Sequence, residues 1–388
     1  MAFGSCSGFA IGALAPFIVR DLGLSRSGLG LLTTVVFVVS AAASPVAGRA
    51  VDVLGGRRLL MGVFGIAGAA LLAMAATPSY AWLLAAAALS GVATAIMNPA
   101  TNQLISTHIP RGSQGTILGV KQSGVQFALF AVGLFLPSVA LHIGWRGALA
   151  VAALPAAVGL AAVAFVVPRA GVAPRPAPGA RASVGEPVGG DRGVRASVAR
   201  DRMVVRLTAY AFLMGFGSAA VTTYLVLFGV ESVGLTEAAA GLATASLGLA
   251  GIVSRVAWAR RVERMSSAAA PLALMALAGL VCVGLILLAQ TAGAWLLWVG
   301  AVGFGATASA WNAVGNLVLV RELPLAVAGR ASGVMQVGFY GGFIACPVVF
   351  GFLADTTRSY GPSWTSAMLT LAIAGLIAWR GQEGARHP

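Results

Sequence analysis

The sequence predicts an all-α membrane protein with twelve transmembrane helices in two pseudo-symmetric six-helix bundles. Its composition is too apolar for a soluble core, its apolar segments have the length of membrane spans, and its two halves repeat. Of the 388 residues, 59% are hydrophobic and 9% are charged, and the mean hydropathy is +0.91. Soluble domains carry about 25% charged residues. A transmembrane helix needs about 20 apolar residues, so the chain has room for twelve.

Twelve apolar segments, called spans 1 to 12, are separated by charged or turn-forming residues. Spans 1 to 6 are predicted at Ala2–Val19, Gly28–Val46, Leu59–Thr77, Trp82–Ile105, Gly115–Leu141 and Gly147–Val167. Spans 7 to 12 are predicted at Leu207–Gly229, Ala238–Ala257, Ala268–Gln290, Ala294–Leu319, Ala328–Phe352 and Trp364–Ala378. No basic segment precedes span 1, so we expect it to remain as a span and not to be cleaved as a signal peptide.

The spans divide the chain into an N-terminal bundle, residues 1–167, and a C-terminal bundle, residues 207–388. Between them, residues 168–206 are rich in Pro, Gly, Ala and Arg, a composition typical of a disordered linker. The short loops on the same side of the membrane as this linker carry clustered arginines, which is the positive-inside pattern. The sequence therefore predicts a multi-pass protein of the bacterial inner (plasma) membrane with both termini in the cytoplasm. The net charge of +14 then reflects topology and contact with anionic lipids of the bilayer, and not nucleic-acid binding.

The two halves of the sequence align with each other without gaps around one loop. Asn98 aligns with Asn312, a shift of 214 residues, and several further identities follow under the same shift. These pairs are Asn102 with Asn316, Pro110 with Pro324, Gly115 with Gly329, Gly119 with Gly333, Gln122 with Gln336 and Gly124 with Gly338. Ser25 and Thr236 also correspond, and each is a natural N-cap for the helix that follows. Because each half has an even number of spans, the repeats should be parallel and related by an axis along the membrane normal.

The loop between spans 2 and 3 reads GRAVDVLGGRR, from Gly48 to Arg58. It resembles the G-x-x-x-D-x-x-G-R-[KR] signature of the major facilitator superfamily, and a degenerate copy, Arg260–Arg264, follows span 8. The region around Arg255 resembles the eighth span of bacterial cyanate and monocarboxylate-type anion facilitators. The resemblance covers the chain outside the linker. It implies two bundles that hold a substrate near mid-membrane and rock against each other.

The signature loop is predicted to act as a conformational latch. A carboxylate at a helix end can pair with arginines or with the N-terminus of a neighbouring helix, and Asp52 is the candidate. The predicted latch residues are Gly48, Asp52, Gly55, Arg57, Arg58, Arg260 and Glu263. Gly48 and Gly55 are expected to allow close helix approach and the turn. The alternative is a charge cluster that only sets topology.

One lysine carries the main functional hypothesis. Of the 25 basic residues, 24 are arginine, and the single lysine, Lys121, lies inside span 5. A charge in the membrane costs about 2.5 kcal/mol or more on insertion scales unless it faces protein or water. We therefore expect Lys121 to face a cavity and bind an anionic substrate. Its counterpart in the second half is Met335. The alternative is that Lys121 snorkels to the cytoplasmic interface.

Four further polar residues are predicted to complete the substrate site. Asn98 should lie at the depth of Lys121, Asn312 and Gln336 should contribute from the other bundle, and Arg255 in span 8 is a second cation. The alternative for the two amides is hydrogen bonding between helices. For Arg255 it is anchoring at the membrane interface together with Trp258.

These features predict a monomeric secondary transporter that moves a small organic or inorganic anion by alternating access, with a proton as a candidate coupling ion. A proton-coupled drug or metabolite exporter is the second hypothesis, although such exporters usually carry a buried carboxylate and no Asp or Glu lies in the middle of a span. A non-transporting sensor is a more remote alternative. No enzymatic activity, catalytic residue, metal or cofactor is expected, because the three histidines lack ligand spacing.

Overall fold

The computed structural model describes residues 1–109, 114–167, 201–265, 269–323 and 325–383, and within these ranges the chain is helical and contains no strand. The helices of the first half are Ala2–Ala13, Ala15–Leu22, Arg26–Leu54, Gly56–Ala75, Tyr80–His108 and Gln114–Val166. The α-helices of the second half are Arg202–Glu231, Glu237–Glu263, Ala269–Ala292, Trp295–Ala306, Trp311–Glu322, Leu325–Thr357 and Gly361–Glu383. The predicted all-α fold is confirmed.

The helices account for the twelve spans. Nine of those described are long and apolar enough to cross a membrane, or ten if the pair Ala2–Ala13 and Ala15–Leu22 forms one span. That pair is bent by 58°, and Pro16 stands at the start of its second helix, where proline is tolerated. The segment Gln114–Val166 comprises two spans. Gly144 adopts φ 75°, which interrupts the helix and separates span 5 from span 6.

Span 10 differs from its prediction as a continuous helix over Ala294–Leu319. The helix Trp295–Ala306 ends at Thr307, a 3₁₀ turn covers Ala308–Ala310, and Trp311–Glu322 follows. The continuous apolar sequence predicted the length of the span but not this interruption.

The predicted linker is shorter than expected at its C-terminal end. The helix of span 7 begins at Arg202, and the carboxylate of Asp201 accepts hydrogen bonds from the backbone N–H groups of Met203 (2.8 Å) and Val204 (3.2 Å). Residues 202–206 therefore belong to span 7. The predicted linker residues 168–200 lie outside the described part of the chain.

The repeat is visible in the helix caps. Ser25 and Thr236 each accept a hydrogen bond from the backbone N–H three residues further on, at 3.0 and 3.2 Å. The preceding turns also correspond, since Gly23 and Gly234 adopt φ 61° and 76°. Both predicted caps are confirmed.

Helix packing repeats in the same way. In the first half, span 1 packs against span 5, span 2 against span 4, and span 3 against span 6. The second half contains the equivalent pairs, 7 with 11, 8 with 10, and 9 with 12. Two pairs make the most extensive contacts between the halves, span 2 with span 11 and span 5 with span 8, and span 1 also packs against span 7. A cavity therefore lies between these two pairs.

The halves meet at one end of the molecule and separate at the other. We call the end where the odd-numbered spans finish the closed end, and the opposite end the open end. Towards the closed end, Thr34 Oγ1 of span 2 donates a hydrogen bond to the carbonyl of Ile344 in span 11 (3.2 Å). Towards the open end, a Cβ added at Gly48 or Gly333 would have no neighbour within 4 Å. By the predicted topology, the open end faces the cytoplasm.

Two glycines of span 11 allow a matched test of this packing. A Cβ at Gly342 would meet the backbone of span 7 at Phe212 and Phe216, whereas one at Gly333 would meet no neighbouring atom. We expect Gly342→Ala to lower the free energy of unfolding by about 1–3 kcal/mol, because the helices must move apart. Gly333→Ala is the control and should retain the parental stability or increase it. Denaturant unfolding in detergent measures both, and equal stabilities would contradict the packing.

Candidate functional site

A cavity lies between the two halves and is lined by side chains from spans 1, 2, 4, 5, 7, 8, 10 and 11. Four of the five residues predicted for the substrate site line it: Asn98, Arg255, Asn312 and Gln336. These come from spans 4, 8, 10 and 11, so both halves contribute. Lys121 is not among the lining residues.

Lys121 does not line the cavity but bonds to a residue that does. Its Nζ donates a hydrogen bond to Asn98 Oδ1 (3.2 Å) and another to Asn102 Oδ1. Lys121 and Asn98 thus share a depth, as the spacing predicted. The expectation that Lys121 itself lines the cavity is not met in this conformation, because the neighbouring Gln122 occupies that position on the wall. The ammonium group is one hydrogen bond away from the cavity, through Asn98.

The second half shows what this position looks like without a lysine. Asn316 Nδ2 donates to Asn312 Oδ1 at 2.8 Å, so the two amides bond to each other. Met335, the counterpart of Lys121, is 1% exposed. In the first half the equivalent amides both accept from the ammonium. Lys121 is therefore a local departure from an otherwise repeated arrangement.

A tyrosine of the lining lies beside amide side chains of both halves. Asn312 Nδ2 donates to Gln336 Oε1 at 3.5 Å, the limit of a hydrogen bond. The hydroxyl of Tyr340, one helical turn after Gln336, lies close to the side chains of both Gln336 and Asn98. The amides are thus positioned by neighbours and also exposed to the cavity, and Tyr340 is a lining residue that the sequence reasoning missed.

Arg255 is the one charged side chain in the described cavity lining. Its Nη1 donates to the carbonyl of Gln122 in the other half (2.6 Å), and its Nη2 donates to the carbonyl of Ser309 (3.4 Å). Its Nε has no hydrogen-bond partner in the protein, and no described carboxylate forms an ion pair with it. The alternative of interfacial anchoring does not describe this position, because Arg255 lines the cavity between the halves.

The interruption of span 10 lies next to Arg255. A break frees backbone carbonyls, which must find other partners in a membrane protein. Span 8 supplies them: Ser254 Oγ donates to the carbonyl of Gly305 (2.9 Å) and Trp258 Nε1 to that of Ala306 (3.0 Å). The only sequence signal for the break is the run of small residues around Thr307. Trp258, which the alternative for Arg255 would place at the membrane interface, donates to a carbonyl at this break.

Several polar atoms of the lining lack partners. Besides Arg255 Nε, these are Thr33 Oγ1 and Gln126 Oε1, each fully buried. Buried polar atoms are normally satisfied, so these can bond to a ligand or to water in the cavity. The described lining contains no carboxylate, and the described residues contain no group of three His, Cys, Asp or Glu side chains that could hold a metal ion.

A charged cluster joins the halves at the closed end, and the sequence reasoning missed it. Arg26 Nη2 of span 2 lies 2.8 Å from Glu231 Oε2, and the hydroxyl of Tyr360 donates to the same oxygen at 2.7 Å. The guanidinium also lies over the Tyr360 ring, 4.8 Å from its centroid. Burial and the neighbouring Glu231 carboxylate raise the pKa of Tyr360, so the tyrosine remains a donor.

A second closed-end contact is a helix cap supplied across the halves. The carboxylate of Asp355 in span 11 accepts hydrogen bonds from the backbone N–H groups of Arg26 (3.0 Å) and Ser27 (2.9 Å). These groups begin the helix of span 2, where a negative charge is stabilised by the helix dipole. Arg20 and Glu237 form a further pair across the halves at 3.4 Å.

The predicted latch lies at the open end. In this conformation its described residues form no ion pair with the other half. The side chains of Asp52 and Glu263 lie outside the described residues. Arg58 and Arg260 are exposed. Gly55 adopts φ 78° and forms the turn between spans 2 and 3, as predicted.

Two latch residues differ from expectation. Arg57 donates to the carbonyls of Val167 and Ala164, both at 2.8 Å, and so caps the C-terminal end of span 6 within its own half. Gly48 has no neighbour close enough to require a glycine. The close helix approach is made instead at Gly56, where a Cβ would meet span 4.

Comparisons with known proteins agree with this architecture. Residues 1–345 match the model of the Major Facilitator Superfamily. Similar solved structures include the nucleoside transporter NupG (TM-score 0.75, 12% identity, covering 98% of this chain and 97% of that chain). The D-xylose-proton symporter is also similar (TM-score 0.77, 16% identity, 97% and 94%).

A third similar structure is a bacterial homolog of the human lysosomal transporter Spinster in an inward-facing and occupied conformation (TM-score 0.76, 14% identity, 98% and 94%). At these identities the structures share the fold alone. No curated protein matches the sequence. The family match covers most of both halves, and the chain therefore belongs to the major facilitator superfamily, as a membrane transporter and not an enzyme.

Proposed function

We propose that this protein transports a small anion across the bacterial inner membrane by alternating access. The observation that carries the proposal is Arg255, a guanidinium in the cavity wall without a carboxylate partner among the described residues. Its Nε has no partner in the protein either. Leaving a charge uncompensated in a protein interior costs several kcal/mol. A visiting anion removes part of that cost, so the site favours negative substrates.

Lys121 supports the same substrate class. Its ammonium group bonds to Asn98 and Asn102 and forms no ion pair with a described residue. The positive charge therefore raises the potential of the cavity on the side of the open end. The side-chain amides of Asn98, Asn312 and Gln336 can donate to the oxygens of an oxyanion. The narrower resemblance to cyanate and monocarboxylate facilitators fits this arrangement.

Transport requires the closed end to open and the open end to close. The Arg26–Glu231–Tyr360 cluster and the Asp355 cap stabilise the present conformation, since they join the two halves. We propose that the signature loop, with Asp52 as its carboxylate, stabilises the opposite conformation. By the positive-inside rule the present cavity opens to the cytoplasm. A proton remains the candidate coupling ion.

Arg255 and Lys121 allow a direct test of the anion site. Purified protein should be stabilised against heat by at least one of cyanate, acetate and benzoate. Arg255→Gln should lower the affinity for that anion by about tenfold to a hundredfold, which corresponds to the loss of one charge-assisted hydrogen bond. Lys121→Met should also weaken it, and both variants should lose uptake of the anion into proteoliposomes. Their unliganded melting temperatures report whether they fold.

Arg202→Gln is the matched control, because Arg202 is exposed at the start of span 7. It should bind and transport as the parent does. If Arg255→Gln binds the anion with unchanged affinity, the proposal is contradicted. Export of cationic drugs that survives Arg255→Gln would favour the proton-coupled exporter instead.

The closed-end cluster predicts a shift in conformation. Spin labels at Pro78→Cys and Ala292→Cys, both exposed at the closed end on opposite halves, report its opening. The native Cys6, Cys282 and Cys346 are first replaced by Ala. Glu231→Gln removes the ion pair with Arg26 and so destabilises the closed end by about 1 kcal/mol. The population with the longer distance between the two labels should therefore increase about fivefold.

Electron–electron double resonance measures these distances. Glu322→Gln, at an exposed carboxylate towards the open end, is the control and should leave the distribution unchanged. An unchanged distribution in Glu231→Gln would show that the cluster does not hold the closed end.

A further inference from the structure

The cavity has two chemically different walls. The first is formed by the pair of spans 5 and 8, which join the halves on one side. It presents the guanidinium of Arg255 and the amide side chains of Gln122 and Gln126. Arg255 Nε and Gln126 Oε1 have no partner in the protein. This wall provides charge and hydrogen-bonding groups.

The second wall is formed by spans 2 and 11, the other pair that joins the halves. Its lining residues Phe37, Phe339 and Phe343 form a continuous aromatic surface, with ring centroids 4.4 Å apart for Phe37 and Phe343 and 4.9 Å apart for Phe339 and Phe343. Trp311 of span 10 extends it, 5.4 Å from Phe339. Aromatic rings stack on or pack edge-to-face against other rings at such distances.

The two walls lie on opposite sides of the cavity. Spans 5 and 8 form one of the two most extensive contacts between the halves, spans 2 and 11 form the other, and the cavity lies between them. A guest that fills this space therefore meets the charged group on one side and the rings on the other. An inorganic anion at Arg255 would leave the aromatic wall without a partner.

We infer that the substrate is an organic anion with an apolar, ring-sized body, whose anionic group lies at Arg255 and whose body packs against Phe37, Phe339 and Phe343. This inference rests on the proposed anion transport and narrows it. The aromatic wall also attracts cations, but a cation would lie in the same cavity as the unpaired guanidinium and be repelled by it. A neutral aromatic compound would leave the guanidinium uncompensated.

Three probes separate the contributions of the two walls. Benzoate carries both a carboxylate and a ring, acetate carries the carboxylate alone, and benzamide carries the ring without the charge. Each buried methylene-sized group strengthens binding about fourfold. We therefore expect benzoate to bind at least about tenfold more tightly than acetate, and also more tightly than benzamide. Thermal stabilisation of the purified protein and competition for uptake into proteoliposomes measure the order.

Variants assign the effect to the walls. Phe37→Leu and Phe339→Leu, two substitutions in different halves, should each lower the affinity for benzoate about threefold to tenfold and leave the affinity for acetate unchanged. Arg255→Gln should lower the affinities for benzoate and acetate and leave the affinity for benzamide unchanged. The control is Phe135→Leu, because Phe135 is 59% exposed on span 5 and does not line the cavity. It should bind all three probes as the parent does.

The outcomes distinguish this inference from the proposed function. Equal affinity for acetate and benzoate, both dependent on Arg255, would overturn the inference and leave anion transport in place. Equal affinity for benzamide and benzoate, both independent of Arg255, would overturn anion transport itself. If neither acetate nor benzoate binds, the substrate class proposed here is wrong.

Discussion

A bilayer offers no hydrogen-bond partners to the backbone, and this constraint determines where the protein can depart from regular helix. Span 10 breaks at Thr307, where it packs against span 8, and span 8 donates to carbonyls that the break frees. Ser254 and Trp258 each donate to one of them, and Arg255 donates to the carbonyl of Ser309 just after the break. The same stretch of span 8 thus repairs an interrupted helix and carries a charge to the cavity. Support of the fold and the chemistry of the site are combined in consecutive turns of one helix.

The two halves repeat in sequence, caps and packing, but the cavity between them is not symmetric. Lys121 occupies the position that Met335 occupies in the second half, and the neighbouring asparagines change their hydrogen bonds accordingly. Arg255 and the break in span 10 are further departures within the second half. A symmetric scaffold suits two alternating conformations, since each half can use the same packing. Binding one class of substrate requires groups that the symmetry does not duplicate.

The two ends of the molecule use charge differently. At the closed end, Glu231 and Asp355 belong to one half, and each binds a group at the start of span 2 in the other. These contacts combine charge with oriented N–H donors, yet the Arg26 and Glu231 side chains are partly exposed, so water can replace them. Such contacts can hold a conformation and still be exchanged. The open-end arginine Arg57 is already used within its own half, as a cap for span 6.

The sequence by itself determined the class of fold, the twelve spans, the repeat and the caps at Ser25 and Thr236, because apolar length, periodic identity and capping residues act locally along the chain. It also indicated that Asn98 and Lys121 share a depth, since both are counted from one loop. Only the tertiary structure decided that Lys121 does not line the cavity in this conformation and that Arg255 does. Helix rotation and the contacts of other spans set which side of a helix meets the cavity, and spacing along one chain does not encode those contacts.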